Sequence, residues 1–411
     1  MRFLFTSAQI PGHLDWGGYL ATASELVNQG HHVLWATGGA MLPTLARFNV
    51  PGHALAETGW LWPPPPPLQP APDIDDAALQ RMRMARALDQ WLEEDRVAAA
   101  VDELLPVAAA FRPDLVVGEM FMSAAPILAE MLGVPFVVAG WPATRNTVHP
   151  SAQIVAAMAQ ERLARLFARF GVQGANWAAD GPPAINSPHL HLTYWSERWY
   201  QGMPLLGQNR YVGGAAPAAR PWRTPWLTQL PMDRPWVFIT LGTSFTNDPN
   251  FFINSAHAVV KVGGLPILAV GQGFPNETLN QLQPKLPSPR VVTTEIDFSE
   301  VLPYAAVAIH HGGAGTTHAL VTHAVPQIVV PHAADQGRQA EGVARTGVGV
   351  RLHPRQVVPD NLAKILQAML PSDAPFRVNA RRLQHEFAEL GGVAKAAGLL
   401  VEAAGGERVK G

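Results

Sequence analysis

Three places in this 411-residue sequence bring together groups able to do chemistry. The first is His13, in PGHLDWGG, between the apolar run RFLFTS and the start of a helical pattern. An imidazole titrates near pH ~6.5, so a histidine at the carboxyl end of a strand suits a general base; the position equally suits a capping or loop histidine. The second is VAIHHGGAGTTHALVTHAVPQIVVP, an apolar strand entering a turn at Gly312, Gly313 and Gly315, with a helix beginning near Thr316. Glycines allow close approach to the backbone, and the unpaired amides of a helix start favour a diphosphate. His310 and His311 end that strand, while Asp335 and Gln336 follow the next one and offer an acceptor and an amide. The turn matches neither a Walker loop nor GxGxxG, so a ligand-free strand-to-helix turn is the competing reading. The third place, Asp73-Ile74-Asp75, spells a DxD able to hold a divalent cation, but it lies in a Pro-rich stretch rather than after a strand.

The elements that must position these groups are legible as alternating strands and helices. RFLFTS is followed by a helix from about Gly17 to Gln29 and by HHVLWAT; Asp114 to Val117 reads as a strand, Ser123 to Leu132 as a helix closed by Gly133, and Val134 to Ala139 as the next strand. The alternation restarts at WVFITLG and continues through PILAVG, VVTTEI, VAIHHGG and PQIVVP. Strands apolar on both faces belong to parallel sheets, so the expected fold is α/β with two doubly wound, Rossmann-like domains. The expected boundaries are 1–212 for the first domain, a Pro/Ala/Arg-rich linker at 213–234, and 235–411 for the second, with a last helical segment crossing back to the first.

Composition narrows the function further. Lys plus Arg number 30 against 32 Asp plus Glu, which gives no basic footprint for nucleic acid, and there is no cysteine for disulfides, thiolate metal sites or thiol nucleophiles. The start MRFLFTSAQ is too short in apolar residues for a signal peptide, and Glu119, Glu130, Gly133 and prolines interrupt the apolar stretch Leu115 to Trp141. No membrane span is expected, and the cytoplasm is the default location. Trp16, Trp60, Trp62, Met120, Phe121, Met122 and Trp141 fall near predicted strand ends or loops of the first domain, where they could line an apolar cleft or simply pack the core.

HHGGAGTT followed by VPQIVVPHAADQ resembles the donor-site signature of the UDP-glycosyltransferase superfamily, in particular its bacterial antibiotic, macrolide and sterol branch with the GT-B fold. GHL, PDLVVGE, YVGG, FITLGTS and FSEVLP extend the resemblance over nearly the whole chain. It implies two domains facing across a cleft and an inverting, metal-independent hexosyltransferase acting on a lipophilic hydroxyl compound. UDP- or dTDP-sugar serves as co-substrate, with no further cofactor and no metal. The resemblance makes His13 the base and places Glu119 where the family usually has an Asp. It gives His310, Gly312, Gly313, Gly315 and Thr316 to the diphosphate, with Thr243 and Ser244 opposite, Asp335 and Gln336 to the sugar, and Ile296 to the nucleobase. Trp16, Trp60, Trp62, Met120, Phe121 and Trp141 would meet the acceptor. Asp15-Trp16 stands where a proline is common, and Thr294 to Asp297 lacks the usual aromatic and proline beside the base. The expected assembly is a monomer or homodimer. The rival reading is a catalytically silent protein of the same fold that binds a nucleotide sugar or a lipophilic ligand.

Overall fold

The computed structural model describes residues 1–63, 68–69, 73–145, 153–178, 184–217, 224–242, 248–271, 273–294, 296–332 and 335–405. The chain forms two compact units. The first contains seven parallel strands, β1 (Arg2–Thr6), β2 (His32–Gly38), β3 (Gly52–Leu55), β4 (Leu115–Gly118), β5 (Phe136–Ala139), β6 (Leu190–Thr193) and β7 (Asn209–Tyr211), in the order β3-β2-β1-β4-β5-β6-β7. The central strands read LVVG and FVVA because helices cover both faces of the sheet and every one of these residues is buried. The helix Ala124–Leu132 stops at Gly133, whose φ of 63° puts it in the left-handed region that ends helices without a Cβ penalty.

The chain leaves β1 toward one edge of the sheet and, from β4 on, builds toward the other, so the order reverses between β1 and β4. Neighbouring loops diverge there at the carboxyl ends of the strands and leave a crevice for a ligand. Thr6 and Gly118 are register partners at that end, and the buried Tyr19 hydroxyl shares its proton between the carbonyls of Thr6 (2.9 Å) and Val117 (3.0 Å), tying the two strand ends together.

The second unit repeats the plan with β8 (Trp236–Thr240), β9 (Leu265–Ala269), β10 (Val291–Thr293), β11 (Ala305–His310), β12 (Gln327–Val329) and β13 (Gly349–Arg351), all parallel, in the order β10-β9-β8-β11-β12-β13. Its reversal lies between β8 and β11, where Thr240 pairs with His310.

The two units are not colinear with the sequence. Trp195–Gln201 belongs to the second unit although its flanks belong to the first, and the chain from Val393 on belongs to the first. Trp195 stacks on Trp199 at 4.4 Å between ring centroids, Phe387 meets both edge-on, and the Trp199 indole N–H donates to Gln339 Oε1 at 3.2 Å. Burial of two indoles outweighs sequence proximity to the first unit. The stretch from Gly213 is also less loose than a linker: the Gly214 amide donates to the Phe387 carbonyl at 3.1 Å, and residues 225–229 form a 3-10 helix. Among the described residues no helix is long and apolar enough to cross a membrane.

Candidate active site

His13 sits in a one-turn helix, Pro11–Leu14, directly after β1, with proline at its start supplying a fixed φ and lacking the amide that such a start would leave unpaired. Glu119 is the first residue after β4. Both therefore stand at the reversal point of the first sheet, which brings them together across 106 positions of sequence: His13 Nδ1 lies 2.9 Å from Glu119 Oε1. A carboxylate only accepts, so Nδ1–H is the donor and the Nε2 lone pair is left free; among the described residues Nε2 has no protein partner. The other carboxylate oxygen, Oε2, accepts the Phe121 amide at 2.8 Å and fixes the carboxylate plane. Glu119 is fully buried and the His13 side chain is 12% exposed. The negative charge of Glu119, after burial itself, helps hold the Tyr19 phenol well above its usual range.

Three of the predicted aromatic residues surround the imidazole. Ring centroids of Trp60, Trp16 and Phe121 lie 4.8, 5.5 and 5.6 Å from that of His13. Trp16 is more deeply set than a cleft wall, 4% exposed and pressed against Gly140, where an added Cβ would come within 2.3 Å of it. Trp141 follows that glycine, and its carbonyl accepts from Nδ1–H of the buried His191, whose Nε2 in turn accepts the Ser187 amide. Met120 is half-buried in the turn between Glu119 and Phe121. The structure does not bring Trp62 into this group: its ring is 40% exposed and makes no ring contact with the others.

In the second unit the glycine turn leads from β11 into the helix Ala314–Thr322, whose start at Gly313 has no side-chain cap. Gly312 has φ 95° and lies against Val329 and the Gln336 carbonyl; Gly313 has no room for a Cβ, which would come 2.5 Å from His311 Nε2. The backbone amides of Gly315 and Thr316 lie in the first turn of this helix, at its positive dipole end.

Here the sequence expectation for His310 needs correction. Its ring is wholly buried, Nε2–H donates to Gln327 Oε1 at 3.0 Å, and Nδ1 accepts the Gly312 amide at 3.1 Å. No ring nitrogen is left for a phosphate; His310 is the peg that shapes the turn, and burial lowers its pKa to about 4. His311, seen in the sequence but assigned no role, instead packs against Gly242 and Gly313 with Nδ1 lacking a partner among the described residues, and burial, with His310 and His332 nearby, lowers its pKa to about 3. A polar Gln327 inside the apolar strand PQIVVP was the available signal: a buried amide needs a partner, and His310 is it.

Gln336 is 2% exposed and its Oε1 accepts the His332 amide at 2.7 Å, closing the loop after β12. Asp335 begins the helix Gln336–Thr346 as its N-cap residue. Ile296 packs beside Phe298 and Val291 against the apolar cluster around Trp236. Thr243 and Ser244 lie outside the described residues. In the DxD, Asp75 accepts the Ala78 amide at 2.7 Å and caps the helix Asp76–Asp89.

Comparison with known proteins places the chain in a family. Residues 273–399 match the family described as Erythromycin biosynthesis protein CIII-like, C-terminal domain. The chain is 31% identical over 402 residues to the L-demethylnoviosyl transferase of Streptomyces niveus, covering 94% of each chain. Among solved structures it resembles the calicheamicin glycosyltransferase CalG4, with a TM-score of 0.72 at 22% identity over 100% of this chain and 99% of the other. It also resembles the spinosyn rhamnosyltransferase SpnG complexed with thymidine diphosphate, with a TM-score of 0.69 at 20% identity over 98% of this chain and 100% of the other. With two parallel α/β units and a near full-length relative, the chain has the GT-B fold, belongs to the bacterial antibiotic glycosyltransferase family, and is a glycosyltransferase.

Proposed function

We propose that this glycosyltransferase moves a hexose from a nucleoside diphosphate, dTDP or UDP, to a hydroxyl of a lipophilic small molecule such as a polyketide, terpenoid, sterol or phenolic compound, with inversion and without a metal. The observation that carries the reading is the His13–Glu119 pair at the sheet reversal, ringed by Trp16, Trp60 and Phe121. His13 Nε2 takes the acceptor proton as the acceptor oxygen bonds to the anomeric carbon and the diphosphate leaves from the opposite face. The adjacent carboxylate holds the imidazole in the required tautomer and stabilises the imidazolium that forms, as acid partners do in histidine-based triads.

On the donor side, the amides at the start of Ala314–Thr322 and His311 receive the diphosphate, and Asp335 accepts from sugar hydroxyls. Metal-free transfer is consistent with a leaving group held by helix-end amides, and with the carboxylate of Asp75 being used as a helix cap. A dTDP donor is favoured by the thymidine diphosphate bound in SpnG.

The test compares wild type and His13→Ala for diphosphate release and glycoside formation from UDP- and dTDP-hexoses, with a panel of lipophilic acceptors and excess chelator. Wild-type transfer that resists chelator and falls about 10²- to 10⁴-fold in the variant is the expected result. Transfer abolished by chelator removes the metal-free mechanism, and tight donor binding with no turnover on a broad panel favours the silent binder.

A further inference from the structure

The rings around His13 form a closed group rather than an open wall. Trp60 and Phe121 lie 5.1 Å apart, Trp16 and Phe121 6.4 Å, and each lies within 5.6 Å of the imidazole. The indole nitrogens of Trp16 and Trp60 are buried and have no hydrogen-bond partner among the described residues. A buried unpaired donor is destabilising, so this packing holds two groups that a different ring position, or an oxygen of an incoming molecule, would satisfy.

The backbone beneath Trp60 is fixed. Leu61 N–H donates to the Gln90 carbonyl at 2.9 Å and the Gln90 side-chain amide returns a bond to the Leu61 carbonyl; Glu103 accepts the amides of Ala56 and Glu57, and Glu57 accepts that of Gly59. Movement at this place is therefore rotation of the Trp60 side chain, which is half-buried, rather than displacement of the loop.

We propose that Trp60 is a shutter that keeps water from the base until an apolar acceptor displaces it, and so sets the ratio of transfer to hydrolysis. The inference rests on His13 acting as the base. A base positioned to deprotonate an acceptor alcohol deprotonates water equally well. The water oxygen would bond to the anomeric carbon while the bond from that carbon to the diphosphate oxygen breaks, the diphosphate leaves with the electron pair, and the water proton passes to His13 Nε2. Free sugar and nucleoside diphosphate result. Aromatic rings packed on the imidazole deny water this position, whereas a lipophilic acceptor replaces their contacts with its own and supplies an oxygen to the unpaired indole N–H.

The experiment measures nucleoside diphosphate release without acceptor, and glycoside formation with it, using whichever UDP- or dTDP-hexose supports wild-type transfer. Trp60→Ala is expected to raise acceptor-free hydrolysis about tenfold, a part of the roughly 10²- to 10⁴-fold that a positioned base supplies, and to lower glycosides formed per donor consumed. Trp60→Phe keeps a ring in place and is expected to raise acceptor-free hydrolysis less than Trp60→Ala does, which separates the shutter from general loss of folding. The double variant with His13→Ala loses the gain. Hydrolysis by Trp60→Ala at the wild-type rate overturns the shutter alone, as does a gain that survives removal of His13. A His13→Ala single variant that transfers at the wild-type rate refutes the base on which the shutter rests.

Discussion

Replacing Glu119 by Gln separates the role of its charge from that of its shape. The carboxylate accepts two hydrogen bonds, His13 Nδ1–H at 2.9 Å and Phe121 N–H at 2.8 Å, inside a fully buried position. A Gln has one oxygen to offer and must turn its NH₂ toward one of these donors. If the oxygen keeps the Phe121 amide, the imidazole can only accept from the NH₂, which puts its proton on Nε2, where the acceptor proton must go. If the oxygen keeps His13, the Phe121 amide is left facing a donor at a cost of about 1–3 kcal/mol in stability. Loss of a charge-assisted bond to the developing imidazolium adds about 1.5–3 kcal/mol to the barrier, or roughly 10- to 150-fold in rate. We therefore expect kcat to fall about 10²-fold with KM for the donor nearly unchanged, and Glu119→Asp, which keeps the charge but shortens the reach, to fall between Gln and wild type. Steady-state release of nucleoside diphosphate, with circular dichroism as the folding control, measures this. A Gln variant within threefold of wild-type kcat, or an effect confined to KM, refutes the argument that the carboxylate stabilises the transition state.

Other perturbations test other parts of the structure. His310 and His311, with pKa values lowered by burial to about 4 and about 3, stay neutral in the folded protein while the unfolded rings protonate near pH ~6.5. Their neutral burial is compatible with full stability above that value and removes ~1.4 kcal/mol per pH unit for each ring as the pH falls below it, so urea midpoints should drop from pH 7 to pH 5; a flat profile contradicts the burial. Gly312→Ala meets φ 95° and a Cβ contact of 2.8 Å with Val329, and should weaken dTDP or UDP binding at least about tenfold in a calorimetric titration. Asp75→Ala should lower stability by about 0.5–2 kcal/mol through the lost cap while leaving kcat unchanged; a metal-reversible loss of activity would instead make the DxD functional.

The parts of the fold legible in sequence were those whose residues are set by local pattern: RFLFT, LVVG, FVVA and WVFIT had to be strands buried on both faces, and Gly133 had to end a helix. Three-residue strands such as β7 and β13 carry too little pattern of their own and exist because a neighbour offers an edge. His13 was visible as a strand-end residue and Glu119 through the family resemblance, but their hydrogen bond depends on strand order, which adjacency in sequence does not encode. His310 and His311 could not be told apart by type; what separates them is Gln327 on the adjacent strand. Trp195–Gln201 was read with its neighbours because its destination is decided by packing on Phe387, nearly two hundred residues later.

That displaced segment has a bearing on recombination. The chain passes between its units after Tyr194, Gln201, Val212 and Gly392, so no single cut yields two whole halves. A hybrid that joins the front of this protein to the back of a relative at Val212 would import Trp195 and Trp199 into a foreign second unit and would ask a foreign terminal helix, the counterpart of Gly392–Gly405, to complete the first. Exchange of donor or acceptor preference by splicing should thus succeed when residues 195–201 travel with the back half and the terminal helix with the front.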